Sequence, residues 1–296
     1  MQDFAGIWVP LVTPFNQGAV DHAALRRLVR SLAEAGVTGF VVCGSTGEAA
    51  ALDDAEQHDV LRTVLDVADK RRVIMGLSGV TATSVCARLA RCAELPLAGF
   101  LIPPPYYVRP SQQGIAEFFT ALADVAPAPI VLYDIPARTG VRIATATMLA
   151  LAEHPRIVAV KDCGADPDHT QAIIDDGRLQ LLAGDDHRMF TTLCQGGVGA
   201  IAASAHLRPE LFVALHDRVR RGDLDAARRL WRALWPLTRV LFDEPSPGPV
   251  KAALADRLGL CNELRAPMTR VTADGAQRVS QALLRIEASF PEAASA

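Results

Sequence analysis

The stretch "PRIVAVKDCGADPDHTQAIIDD", residues 155–176, reads as one strand followed by one helix. Ile157–Val160 is an unbroken apolar run of the length taken by a strand covered on both faces. Pro167 then opens a helical pattern that runs to Asp176, proline being pre-shaped for the first helical position. The same alternation recurs on either side. Strand candidates are Ile7–Val12, Gly39–Cys43, Val73–Leu77, Gly99–Ile102, Ile130–Tyr133, Ile157–Val160, Leu179–Ala183 and Gly199–Ala202. Helical patterns follow them at Ala23–Ala35, Ala55–Ala68, Thr83–Glu94, Gly114–Val125, Thr145–Glu153, Pro167–Asp176, His187–Cys194 and Pro209–Arg220. Eight such units are the count of a closed (β/α)8 TIM barrel, and an open doubly wound sheet rarely keeps eight this regular. Beyond about residue 222 the strand signal stops, leaving helices near Leu224–Phe242, Pro249–Leu258 and Asp274–Ser289. The reading is a barrel domain over 1–222 and a C-terminal helical domain over 223–296. "DEPSPGPVK" (243–251) is expected to be a proline-rich linker between two of those helices.

Composition narrows the function classes. The chain has 296 residues, half of them hydrophobic, and a net charge of −3 with both signs scattered. No basic block suits nucleic acid. No apolar run approaches the ~18 residues of a membrane span, and the N-terminus lacks a charged segment followed by a long apolar one, so no signal peptide is expected. The six cysteines form no CxxC pair and read as reduced packing thiols, with no metal site among them. A cytoplasmic enzyme is the expectation.

In such barrels chemistry sits at the C-terminal ends of the strands. The polar residues there are Thr13, "GSTGE" (44–48), "PPPYYVRP" (103–110), Tyr133 with "DIPARTG" (134–140), Lys161, and "GDD" (184–186). Of 30 basic residues only Lys70, Lys161 and Lys251 are lysines. Arginine serves wherever charge alone matters, but it stays protonated and cannot form an imine. Burial at a strand end is expected to lower the pKa of Lys161, and a neutral amine is the nucleophile that makes a Schiff base with a ketone. The plainer alternative is a lysine paired with Asp162 or Asp185. Tyr106, Tyr107 and Tyr133 are the only tyrosines, all near predicted strand ends. Tyr133, one strand from Lys161, is placed to move protons, while Tyr106 suits a pocket wall. The N–H groups of "GSTGE", with the Ser45 and Thr46 hydroxyls, can hold a carboxylate or phosphate. No GK[ST] follows, so it is not a P-loop, and a plain tight turn is the alternative. Arg138 can clamp a carboxylate with two parallel hydrogen bonds, the alternative being a surface arginine like most of the others.

Together "GSTGE", "YDIPARTG" (133–140) and "IVAVKD" (157–162) resemble the pyruvate-dependent class I aldolases typified by dihydrodipicolinate synthase and N-acetylneuraminate lyase. The resemblance runs from "VPLVTPF" (9–15) to "RAPMT" (265–269). It implies that Lys161 carries pyruvate as a covalent Schiff base, so that neither a metal nor an organic cofactor is needed. It makes Tyr133 the proton carrier, in a relay with Ser45 and with Tyr107 reaching into a neighbouring subunit. Ser45 and Thr46 receive the pyruvate carboxylate, Gly184 and Ile201 line the pocket, and a homotetramer built of two dimers is implied. "PPPYYVRPS", Arg138 and "EPSPGPVK" resemble the synthase branch, where the arginine binds the carboxylate of L-aspartate 4-semialdehyde. Ser45 departs from the usual threonine of that branch. Asp54 and Gln57 stand where lysine-inhibited synthases carry histidines, so L-lysine is expected to inhibit weakly or not at all. The alternatives are another aldolase or lyase acting on a sugar acid or hydroxy-oxo acid, and a non-catalytic barrel binding a 2-oxo acid. The resemblance assigns no role to Cys163.

Overall fold

The structure is a computed structural model that describes residues 2–164 and 166–291. Its eight barrel strands are β1 (Gly6–Pro10), β2 (Gly39–Val42), β3 (Val73–Gly76), β4 (Gly99–Ile102), β5 (Ile130–Asp134), β6 (Ile157–Asp162), β7 (Gln180–Ala183) and β8 (Gly199–Ile201). They form one closed ring of hydrogen-bonded neighbours in chain order, the expected (β/α)8 barrel. The intervening helices are α1 (His22–Glu34), α2 (Asp54–Leu65), α3 (Ala82–Arg91), α4 (Gln112–Val125), α5 (Thr145–Leu151), α6 (Pro167–Asp176), α7 (Met189–Gln195) and α8 (Pro209–Arg220). Then come α9 (Leu224–Val240), α10 (Gly248–Leu258) and α11 (Ala273–Ser289).

Local chemistry explains most boundaries. Asp21, Thr81, Ser111, Asp223 and Thr272 each cap a helix by accepting a hydrogen bond from a first-turn N–H. Asp53 and Glu56 close a full capping box on α2. Gly177 and Gly259 end α6 and α10 in the left-handed conformation.

Packing divides the chain into two compact units, Met1–Ala5 with Lys70–Ile201, and Gly6–Asp69 with Ala202–Ala296. In the first, β3 to β8 are apolar and buried along nearly their whole length. A fully buried side chain such as Ile130 contributes about 1.5–3 kcal/mol. β5 and β6 run one and two residues beyond the sequence-based ends, because ladder bonds do not stop at a polar side chain. Cys163 N–H donates to Asp134 O at 2.8 Å and Gly184 N–H to Asp162 O at 2.9 Å. The β5–β6 register slips by one residue near its start: Ile130 pairs with Ile157 but Val131 with Ala159. Thereafter Tyr133 stands abreast of Lys161, and Asp134 of Asp162.

In the second unit a small hairpin, Phe15–Asn16 with Ala19–Val20, was invisible to strand periodicity because each arm has two residues. The segment expected as a linker at 243–251 is partly helix. α10 begins at Gly248, with Pro249 in its first turn and Val250 and Lys251 buried. α11 packs on α9 and α10. His206 stitches this unit together: its Nε2 accepts from Val12 N–H at 3.2 Å and its Nδ1–H donates to Ala203 O at 2.8 Å. Among the described residues no helix is long and apolar enough to cross a membrane.

Candidate active site

Lys161 lies inside β6 rather than just after it, and only 5% of it is exposed. Its Nζ sits 4.4 Å from the centre of the Tyr133 ring. Adjacent parallel strands in register put these two side chains side by side. Asp162, the next residue, faces away with the alternation of the strand. Its carboxylate accepts from Gly164 N–H at 2.8 Å and Thr170 Oγ1–H at 2.6 Å. Asp185 engages Cys163 instead.

Burial pushes the Lys161 pKa down, as the sequence reading expects. Tyr133, Cys163 and Asp186 around it favour the charged form and outweigh burial, so the net shift is upward. That corrects the expectation of a lowered value. The Cys163 thiol is pushed well above its usual range by burial, which makes it a poor nucleophile. Gly184 faces the stem of the lysine: a Cβ there would come within 2.9 Å of Lys161 Cγ and of Asp162 O. Glycine is required by close approach rather than by a turn. Ile201 is fully buried on β8.

Arg138 lies exposed in a single helical turn, Pro136–Thr139, directly after β5. Gly140 closes that turn in the left-handed conformation, and a Cβ on it would meet Arg109 Nε at 2.8 Å. The "PPPYYVRP" loop therefore packs against the Arg138 turn. In this loop Tyr107 and Arg109 both hold positive φ, 71° and 46°. Such strain in non-glycine residues collects at functional loops. Tyr107 is 91% exposed.

In the second unit "GSTGE" folds as a tight turn, with Gly47 N–H donating to Gly44 O at 3.1 Å and Glu48 N–H to Ser45 O at 3.2 Å. Cys43 and Glu48 bracket it at positive φ. Thr13 Oγ1–H donates to Gly47 O at 2.7 Å. A Cβ on Gly47 would approach Leu11 O to 2.9 Å. Ser45 is exposed and Thr46 buried. The turn leads first into a 3-10 turn at Ala49–Ala51, and α2 starts only at Asp54.

Sequence reasoning missed what fixes this turn. Glu48 is buried and pairs with Lys251 of α10 at 2.5 Å, while its Oε2 accepts from Arg265 N–H at 3.1 Å. Lys251 Nζ donates to Glu263 O at 2.8 Å and sits 4.2 Å from the Phe15 ring centre. Arg265 covers the same ring at 4.6 Å and pairs with Glu56. The available signal was the scarcity of lysine, which marks Lys251 as much as Lys161. Also missed were Asp134 and His169, both buried beside β5 and β6.

The family model described as the dihydrodipicolinate synthetase family matches residues 3–286. A protein of Hyphomonas neptunium named 4-hydroxy-tetrahydrodipicolinate synthase is 39% identical, covering 90% of this chain and 92% of its own. One of the same name from Thermodesulfovibrio yellowstonii is 34% identical, covering 95% and 97%. The solved 4-hydroxy-tetrahydrodipicolinate synthase of Methylacidiphilum fumariolicum SolV superposes with a TM-score of 0.95 at 30% identity, covering 99% of each chain. With the motifs standing at the strand ends of a closed barrel, this chain belongs to the dihydrodipicolinate synthetase family, the pyruvate-dependent class I aldolase-type lyases.

Proposed function

We propose that this chain is a 4-hydroxy-tetrahydrodipicolinate synthase. The observation that carries the reading is the pairing of Lys161 with Tyr133, an amine against a phenol. Since the net pKa shift of the lysine is upward, its ammonium must lose a proton to a neighbour before it attacks. Tyr133 takes that role as its phenolate, its own proton having passed on along the relay, in a shuttle whose members have similar proton affinities. The amine adds to the ketone of pyruvate, water leaves, and a protonated imine forms. The imine nitrogen draws the electron pair as a methyl proton departs, giving an enamine. The enamine carbon bonds to the aldehyde carbon of L-aspartate 4-semialdehyde. The amine of the new chain then displaces Lys161, closing the ring and freeing 4-hydroxy-tetrahydrodipicolinate. The imine is itself the electron sink, so the reading needs no metal or organic cofactor.

The other roles follow the family resemblance. The Ser45–Thr46 turn supplies donors for a substrate carboxylate. Arg138, exposed in the turn directly after β5, takes the carboxylate of the aldehyde. Gly184 and Ile201 shape the wall. Tyr107, held strained and in solvent, serves a neighbouring subunit within a homotetramer of two dimers in the cytoplasm, its hydroxyl continuing the Tyr133–Ser45 relay. Sedimentation velocity tests the assembly, and a monomer would remove the role of Tyr107. Gln57 ties Ala49 O at 2.9 Å and Leu52 O at 3.1 Å through its amide, which supports weak or absent inhibition by L-lysine.

Ser45 favours a second reading, an aldolase or lyase of this family acting on a sugar acid or hydroxy-oxo acid. A coupled assay with pyruvate, the semialdehyde and the downstream reductase separates the two. Turnover that disappears in Lys161→Ala supports the synthase. No turnover, with pyruvate still trapped by borohydride on Lys161, assigns a different acceptor.

A further inference from the structure

Behind the Tyr133–Lys161 pair lies a second cluster that the imine chemistry does not use. Asp134 and Asp162 are in register on β5 and β6, one residue past the tyrosine and the lysine, and so project to the opposite face. His169, in the first turn of α6, meets them there. One ligand atom from each of the three lies within 4.8 Å of the other two. Asp134 is 0% exposed and His169 3%.

Asp134 and His169 are each held by one end and offer the other, while both oxygens of Asp162 already accept a hydrogen bond. Asp134 accepts from Ile143 N–H at 3.0 Å, and its second oxygen, Oδ2, is buried with no hydrogen-bond partner among the described residues. His169 Nδ1 shares a hydrogen with Thr145 Oγ1 at 2.8 Å, and its Nε2 is likewise buried and unpartnered. Asp162 is oriented by Gly164 N–H and Thr170 Oγ1–H. A ring nitrogen fixed by an outer hydrogen bond while the other points at carboxylates is the arrangement of a metal-binding histidine. The nearest cation, Arg142, is spent elsewhere, donating to Asp166 at 2.8 Å and Gly164 O at 2.6 Å. Two carboxylates facing each other away from water need a compensating charge.

We propose that Asp134, Asp162 and His169 bind one divalent first-row transition-metal ion, which ties the ends of β5 and β6 and α6 together directly behind the reactive lysine. The donor set of two oxygens and one imidazole nitrogen suits such an ion better than Mg2+ or Ca2+, which take oxygen alone. Bonds of about 2.1 Å require ligand atoms about 3–3.5 Å apart, so the ligands draw in on binding. Among the described residues, Asp134 Oδ2 and His169 Nε2 have no hydrogen bond to give up in doing so. The ion touches neither pyruvate nor the imine, and its role is positional.

Co2+ added to the chelator-stripped full chain tests this. The expected result is equimolar uptake with visible d–d absorption, no thiolate-to-cobalt charge-transfer band, and a higher Tm. Asp134→Asn and His169→Gln should each abolish the uptake, while Cys163→Ser should leave it intact. The wild-type titration needs no variant to fold: failure to take up Co2+ at equimolar concentration overturns the proposal. So does uptake that survives both ligand variants, or that shows a thiolate band lost in Cys163→Ser.

Discussion

Two buried lysines sit over aromatic rings in this molecule, and only one is suited to chemistry. Lys161 Nζ lies 4.4 Å from the Tyr133 ring centre and Lys251 Nζ 4.2 Å from that of Phe15. Burial lowers the pKa of Lys251 despite the opposing pull of Glu48, whereas that of Lys161 is raised on balance. A search for a depressed lysine pKa would therefore choose the wrong residue. The difference lies in the partners. Lys251 faces a carboxylate and a carbonyl oxygen. Carboxylates as a class bind protons about six pKa units more weakly than amines, so such a pair stays ionic. Lys161 is influenced most by a phenol and a thiol, ahead of the Asp186 carboxylate, and the ordinary pKa values of phenol and thiol lie within about two units of its own. A proton can pass between them.

The contrast breaks most visibly in activity. Lys161→Ala should lower kcat about 10⁴-fold or more and abolish borohydride labelling by pyruvate, with the fold retained by circular dichroism. Lys251→Ala should still be labelled at temperatures where it is folded. Loss of labelling there would erase the distinction. Its cost should appear in stability, about 3–5 kcal/mol by urea denaturation, because Glu48 is left buried without its cation. Lys251→Met combined with Glu48→Gln should recover a large part of that loss.

His206 sharpens the comparison as a buried base with no charged partner in its hydrogen bonds. Burial lowers its pKa from 6.5 to about 4, and accepting from Val12 N–H requires the neutral ring. The unfolded chain binds this proton below about pH 6.5 and the folded chain only below about pH 4. Stability from this residue is therefore complete above pH 6.5 and falls between pH 6.5 and 4, by about 3 kcal/mol in all. His206→Gln should flatten that part of the pH profile of denaturation. The smallest effect is expected at Asp53→Ala, which opens the capping box of α2 beside the Glu48 turn. It should cost about 1 kcal/mol and leave labelling of Lys161 unchanged.

The barrel was legible because its signals are local and repeated: apolar runs of strand length, each followed by a helix, most of them with a side-chain cap. Lys161 and Tyr133 were legible because rare residue types stood at strand ends. The Glu48–Lys251 pair was not, since it joins positions about 200 residues apart and its lysine hid in a proline-rich stretch that looks like a linker. Asp134 and His169 gave no signal either. An aspartate after a strand and a histidine in a helix are ordinary until the backbone brings them together. The direction of the Lys161 shift also needed structure, because burial and neighbouring groups oppose each other and only distances decide between them.

The slip at the start of the β5–β6 ladder acts as a phase setting for everything downstream. Val158 is the surplus residue there. Were Val158 instead paired with Val131 and the ladder run evenly from there, Tyr133 would come abreast of Val160, and Asp134 abreast of Lys161. The lysine would then neighbour a buried carboxylate, the very company that immobilises Lys251. One skipped pairing, at a valine with no chemistry of its own, thus separates a working amine from an inert one, and mutational scans confined to polar residues would pass over it.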